Sequence, residues 1–494
     1  MATMRGSSVQ GDCRANRMLE CGLLPCVGMG LLAVCFAATA QDSPSATPMR
    51  DLLTAAGISD VQWASLQDGQ PTSTLDRQLL MQVLFRLPQV RLQSVAAWSV
   101  PPDWPKITDA ADTCRGSMYR ITGRASRLTP VSASAEEAQQ WGLDKYYRLE
   151  VFIDGPVPRV VVFAKTVPHS WQPVADRDGI LDTSIVTDAV FLKLGPRNDE
   201  SAVPIFVASN VAWHPTHAAR ELGVTESHVL LAGLGMDLRL LDDVRDRQGL
   251  MAEEREGFYQ LLAAVGRTQR VDLARRVNGD VELRLLLDRQ EYPQQRGELI
   301  ALSGNVRRAV RIAVEAPDIR TRLGIDHYYE LNIFVDESVQ LKRHADDKEP
   351  MYYARYPVVC CVRKLPPGMP EGDDINEAVR VVGFFFKLYA YKTQFTSSQP
   401  GQPRQMSPLL VSPEPYWFAR QSSPTSRWEL AWGLGFLLVV ATTWLIVWRF
   451  HRQDQRFRQS TLQRKFKLSE NTSWDRIAPG GDSNDAGGRD STEC

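Results

Sequence analysis

The stretch GLDKYYRLEVFID, Gly142 to Asp154, is written a second time as GIDHYYELNIFVD, Gly324 to Asp336. Both copies alternate strictly. Tyr147, Leu149, Val151 and Ile153 share one face of an extended strand, as do Tyr329, Leu331, Ile333 and Val335. Period-two alternation marks a strand with one face on a core. The opposite faces carry Tyr146, Arg148, Glu150 and Phe152, and Tyr328, Glu330, Asn332 and Phe334.

The copies extend in both directions. RGSMYRITGRASR (Arg115 to Arg127) precedes the first and RGELIALSGNVRR (Arg296 to Arg308) the second. VVVFAKTVP, ending at Pro168, answers VVCCVRKLP, ending at Pro366. FLKL at Phe191 to Leu194 answers FFKL at Phe385 to Leu388, and both units exit through a tryptophan, Trp213 and Trp417. Upstream, Gly57 to Leu84 and Gly235 to Leu262 read as helix, turn and helix at a constant offset of 178 residues. We therefore expect a tandem duplication of one α+β unit, a helical lead-in followed by a small curved β-sheet or barrel, over 49–213 and 232–417 with a connector at 214–231. Gly123 and Gly304 fall near the middle of the first strand, where a hard bend or bulge is expected. A short helix is expected between the first strand and the Tyr-Tyr strand, in SAEEAQQWG and in APDIRTRLG. A glycine-kinked barrel of four or five strands suggests an OB-like shape. The usual OB order places its helix between the third and fourth strands, so a generic curved sheet or sandwich is the alternative. The second unit also carries a charged insertion, Glu337 to Tyr353.

The chain has 494 residues, 44% hydrophobic and 23% charged, with a net charge of -1. Two apolar segments frame the units. Residues 1–40 read as a signal peptide: arginines at Arg5, Arg14 and Arg17, an apolar run from Cys21, and Ala38-Thr39-Ala40 at its end. An uncleaved anchor is the alternative. From Leu430 to Trp448 nineteen residues pass without a charge, enough to span a bilayer as a helix. Tryptophans lie towards its ends, and Arg449, Arg452, Arg456, Arg458, Arg464, Lys465 and Lys467 follow. The positive-inside rule makes 449–494, basic and then disordered, a cytoplasmic tail. The expected location is the cytoplasmic membrane, single-pass, with the bulk of the chain outside the cytoplasm. Between the apolar segments stand only Cys114, Cys360 and Cys361, and no N-x-S/T site, which suits a bacterial envelope protein with one disulfide at most.

Signatures of chemistry are missing: no Walker loop, GxSxG, HExxH or CxxC. His214 and His217 are three apart but lack a third ligand at a telling spacing, and a solvated connector explains them. Cys360-Cys361 read as strand core, and Asp242-Asp243 and Asp373-Asp374 as solvated faces. Asp154 and Asp336 end strands, where Asp starts turns. No catalytic residue, metal site or cofactor is expected. The part outside the cytoplasm is net negative, the wrong sign for nucleic acid. The aromatics Tyr146, Phe152, Tyr328 and Phe334 are the candidate partner or ligand surface; packing beneath the helical lead-in is the other reading. The expected role is a binding or assembly module for another envelope component, with a divergent hydrolase or ligand-sensing domain sited between the units as the alternative. Whether a small-molecule ligand exists is open at this stage.

Overall fold

The computed structural model describes residues 48–155, 157–177, 179–198, 201–277, 279–337, 339–341, 351–391, 404–419 and 427–468. The leader, the acidic tail after 468 and the middle of the charged insertion lie outside the described residues.

The fold is mixed α+β and contains two similar six-stranded sheets. In the first, β1 (Met118–Ser132) pairs antiparallel with β2 (Lys145–Phe152), and β2 with β3 (Arg159–Thr166). β4 (Ile180–Asn198) and β5 (Ser201–Asn210) pair antiparallel, β3 runs parallel to β5, and β4 returns to β1. These pairings close a five-stranded ring, with β6 (Ala212–Trp213) added to β4. The second sheet repeats the ring. β7 (Leu299–Ala313) and β8 (His327–Val335) are followed by a hairpin of β9 (Val339–Leu341) and β10 (Met351–Tyr353) within the charged insertion. β11 (Tyr356–Val362), β12 (Glu377–Tyr391) and β13 (Gln405–Ser412) complete it, with β11 parallel to β13 and β14 (Tyr416–Phe418) added to β12.

Closure on this scale needs strong local bending, and it occurs at matched places. Pairing slips by one residue between Ala125 and Arg127 and between Val306 and Arg308. It slips again between Phe191 and Lys193 and between Phe385 and Lys387. A Cβ on Gly123 would lie 2.3 Å from the Phe152 carbonyl oxygen, and one on Gly304 2.6 Å from that of Phe334. The glycines therefore permit close backbone approach. The expected helices form as Ala135–Trp141 and Pro317–Leu323, each closed by a left-handed glycine, Gly142 and Gly324. A further short helical stretch, His169 to Ala175, lies between β3 and β4 of the first unit, where the sequence had suggested none.

Each ring has two apolar faces. Leu149, Val151 and Phe206 fill the first interior, and Leu331, Ile333 and Phe385 the second. The outer faces are covered by the lead-ins. Helix Thr74–Arg86, started by a Ser73 capping box, packs its Leu80, Val83 and Leu84 with Tyr146, Phe163 and Val207. Helix Arg255–Gly266 does the same with Tyr328, Cys361 and Phe386. In the second lead-in, helix Glu226–Gly233 answers Pro48–Ala55 of the first, and a single 3-10 turn, Leu238–Leu241, stands where the first has the α-helix Asp60–Ala64. One continuous apolar cluster joins the first interior to the second helical layer through Val211, Trp213, Leu231 and Met236.

The bulges explain the repeated FLKL and FFKL. Each turns a lysine off the strand and under the lead-in helix. Lys193 Nζ donates to Asp76 at 2.7 Å, and Lys387 Nζ to Glu254 at 2.6 and 2.7 Å, all four side chains being buried. Asp68 pairs with Arg115 and accepts the Leu194 N–H; Asp246 does the same with Arg296 and Leu388.

Helix Arg427–Leu468 contains one stretch, Trp432–Arg452, long and apolar enough to cross a membrane, and none of that stretch is buried against the rest of the chain.

Candidate functional site

The four aromatic residues singled out in the sequence are not brought together. Tyr146 and Tyr328 are buried beneath the lead-in, the packing reading of the two given for them, and present no exposed surface. Tyr146 lies 6.0 Å from the Phe163 ring and Tyr328 5.6 Å from Phe258, both beneath lead-in helices that the strand pattern by itself does not reveal. Phe152 is half exposed at its strand end. Phe334 lines a hollow of about 290 Å³ with Asn305, Arg307 and Arg355. Cys114, Cys360 and Cys361 are buried free thiols, and burial pushes the thiols of Cys360 and Cys361 up.

The larger cavity, about 700 Å³, lies between the two units. The first unit supplies Arg120 from β1, Lys165 and Thr166 from the end of β3, Thr187 and Asp188 from β4, and His214 just beyond β6. The second supplies Asp237 and Arg239 from its 3-10 turn, Glu256 and Gln260 from helix Arg255–Gly266, Arg267, and Arg322 from helix Pro317–Leu323. Polar groups thus converge here from six or more separate segments, the arrangement expected of a ligand site.

The wall from the second unit is one connected network. Arg322 grips Glu256 with two bonds, 2.9 and 2.7 Å. Glu256 accepts from Gln260 Nε2 at 3.0 Å, and Gln260 Oε1 accepts the Asp237 N–H at 3.2 Å. Asp237 Oδ1 accepts the N–H of Arg239 at 3.0 Å and that of Trp213, from the first unit, at 2.8 Å. Burial drives the Asp237 carboxyl up, against Arg239 and those N–H donors, and the balance is a raised pKa. Burial also acts on Glu256, but the Arg322 and Gln260 hydrogen bonds outweigh it and hold that carboxyl low. Across the cleft, Arg120 forms a two-point pair with Asp188 at 2.9 and 3.2 Å.

Sequence reasoning offered a site between the units as an alternative but named none of its residues. Asp237, Arg239, Glu256 and Arg322 are spread over 86 positions with no motif spacing, and His214 read as connector. A signal was present in the comparison of the two units: Arg239 and Glu256 stand at the offset of 178 from Val61 and Gln78, so their charges belong to one copy only.

No protein-family model matches this chain, and no curated protein matches it. Among solved structures it is similar to the small single-stranded DNA-binding protein of Streptomyces coelicolor, at 11% identity over 23% of this chain and 84% of that one, with a TM-score of 0.13. It is also similar to the wild-type single-stranded DNA-binding protein of Thermus aquaticus, at 7% identity over 62% of this chain and 95% of that one, with a TM-score of 0.14. TM-scores this low say nothing about the ligand of this chain.

Proposed function

We propose that this chain is a single-pass, membrane-anchored envelope protein whose two external units, products of a tandem duplication, form a binding module for another envelope component. The binding site on this reading is the cleft between the units. What carries it is the cavity of about 700 Å³ walled by polar and charged side chains from both units. The apolar stretch Trp432–Arg452, followed by a basic run, supports the anchor and a cytoplasmic C-terminus. We read each ring as an OB-like barrel, because five strands close with a parallel pairing of the third and fifth. The helical stretch at His169 to Ala175 removes part of the objection from helix placement in the first unit. The partner is not nucleic acid on this reading, since the external part is net negative.

A ligand-sensing role is favoured by the same cleft. Hydrolysis has less behind it: among the described residues the cleft hydroxyl of Thr187 is bonded to the Asn210 carbonyl, and Ser209 to the Asn210 amide, rather than to a histidine. The test is photocrosslinking in intact cells from Thr166 and Leu323, inside the cleft, against exposed Glu371 outside it. Adducts of one defined species from the two cleft positions alone are expected. Identical adducts from Glu371, or none from either cleft position, would overturn the assignment.

A further inference from the structure

Apart from Lys165, whose counterpart is also a cation, the cleft charges do not recur in the duplicate positions. Arg239 and Arg267 stand, at the offset of 178, where the first unit has Val61 and Gln89, and Arg322, at 182, where it has Gln140. From the first unit, Arg120 and Asp188 correspond to Ala301 and Val382. Lys165 corresponds to Arg363, whose guanidinium donates to the carbonyl oxygens of His327 and Gly324 at 2.7 and 3.4 Å. A charge needed only to fold the unit would be expected in both copies, as Lys193 and Lys387 are. Arg120, Asp188, Arg239, Arg267 and Arg322 have no charged counterpart, and all of them line the cleft between the units.

Not every cation among them is paired, although Asp243 and Asp318 also reach Arg239 and Arg322 at 3.6 Å. Asp188 is taken by Arg120, Asp237 lies beside Arg239 at 3.4 Å, and Glu256 is held by Arg322. Two cations, one from each unit, have no carboxylate partner among the described residues: Lys165, and Arg267, which gives one N–H to the Leu234 carbonyl at 2.5 Å. Unneutralised charge in a cleft with low-dielectric walls concentrates anions. The apolar residues Leu87, Val90, Leu92 and Val95 line the same cavity. Helix Leu92–Trp98 has no fully buried residue, and Leu92 is 50% exposed, so this surface is open to contact.

We propose that the cleft binds a small amphiphilic anion, its carboxylate or phosphate held between Lys165 and Arg267 and its apolar body lying on Leu92 and Val95. The cavity volume is in the range of small-molecule sites. This inference rests on the reading of the cleft as the binding site and adds the class of ligand.

The test is equilibrium dialysis of phenyl phosphate, benzoate, inorganic phosphate and neutral benzyl alcohol against the full chain in zwitterionic nanodiscs. Saturable binding of phenyl phosphate or benzoate is expected, with benzyl alcohol and inorganic phosphate each at least about tenfold weaker. Hydrogen bonds to charged groups imply a loss of about tenfold or more in Lys165→Ala and in Arg267→Ala, with Arg267→Lys retaining part of the affinity. The two anions separate a preference for phosphate from one for carboxylate. Benzyl alcohol binding as tightly as the anions, or anion affinity unchanged in the double alanine variant, overturns the proposal and leaves the cleft as a site. Absence of binding by every probe, with crosslinking from Thr166 intact, overturns the ligand class alone; absence of both removes the site as well.

Discussion

Replacing Lys387 with methionine tests the account of how each barrel is fastened to its lead-in. Lys387 and Glu254 are fully buried, and the ammonium also donates to the Gly249 carbonyl at 3.0 Å. Burial pulls the lysine pKa down, and Glu254 offsets this only in part. Methionine fills most of the volume but leaves a carboxylate without its cation. Breaking a buried pair from one side costs about 3–5 kcal/mol. The lower part of that range is expected, because Glu254 keeps the Met251 N–H at 3.0 Å and the Arg245 N–H. Glu254→Gln combined with Lys387→Met removes both charges while preserving an acceptor, so the double variant should be less destabilised than the sum of the singles by about 2 kcal/mol, within the usual range for contacting pairs. The assay is urea unfolding of the full chain in nanodiscs, followed by tryptophan fluorescence. A Lys387→Met cost below about 1 kcal/mol, or additivity within about 0.5 kcal/mol, would refute the assigned coupling.

Four further outcomes are expected. Gly304→Ala should lower stability by about 1–3 kcal/mol in the same unfolding assay, since the new Cβ meets backbone that cannot move aside. Arg247 has φ of 62° at the place where the first unit has Gly69, so Arg247→Gly should raise stability by about 0.5–1 kcal/mol. Glu256 has a folded pKa below its ordinary 4.5, so its contribution is complete above that value and is lost as pH falls through the folded one; Glu256→Gln should flatten the acid limb of the stability profile, as measured by urea midpoints against pH. A reporter fused after Cys494 should be active only as a cytoplasmic reporter, and one inserted near Ser398 only as an external one; the reverse pattern would invert the proposed topology.

Much of the fold was legible because a strand's period and a glycine's steric exemption are local properties. The alternation at Tyr147 to Ile153, the short helices before Gly142 and Gly324, and the special backbone at Gly123 and Gly304 could each be located from the sequence, with the slips themselves falling a few residues on, at Ala125/Arg127 and Val306/Arg308. A small barrel was among the expectations, but which strands close it was not legible, because the β1 to β4 and β3 to β5 pairings join segments whose separation carries no pattern. The lysines of FLKL and FFKL were visible as a repeat but not as buried cations, since a charged residue on a strand ordinarily marks a solvated face. Tyr146 and Tyr328 were left with two readings for the complementary reason: one strand reveals which face differs, and only the docked helix decides whether that face is wet. The cleft was the least legible part. Its residues are ordinary surface types until two units are set against each other.

The apolar cluster that runs from the first barrel into the second helical layer also sets a limit on modularity. Val211 and Trp213 of the first unit share one core with Leu231 of the expected connector and Met236 of the second. Excision of either unit would expose a greasy scar, and heating should melt both in a single step. On the proposed reading, a ligand lodged at that seam would brace both units at once instead of closing a hinge between them.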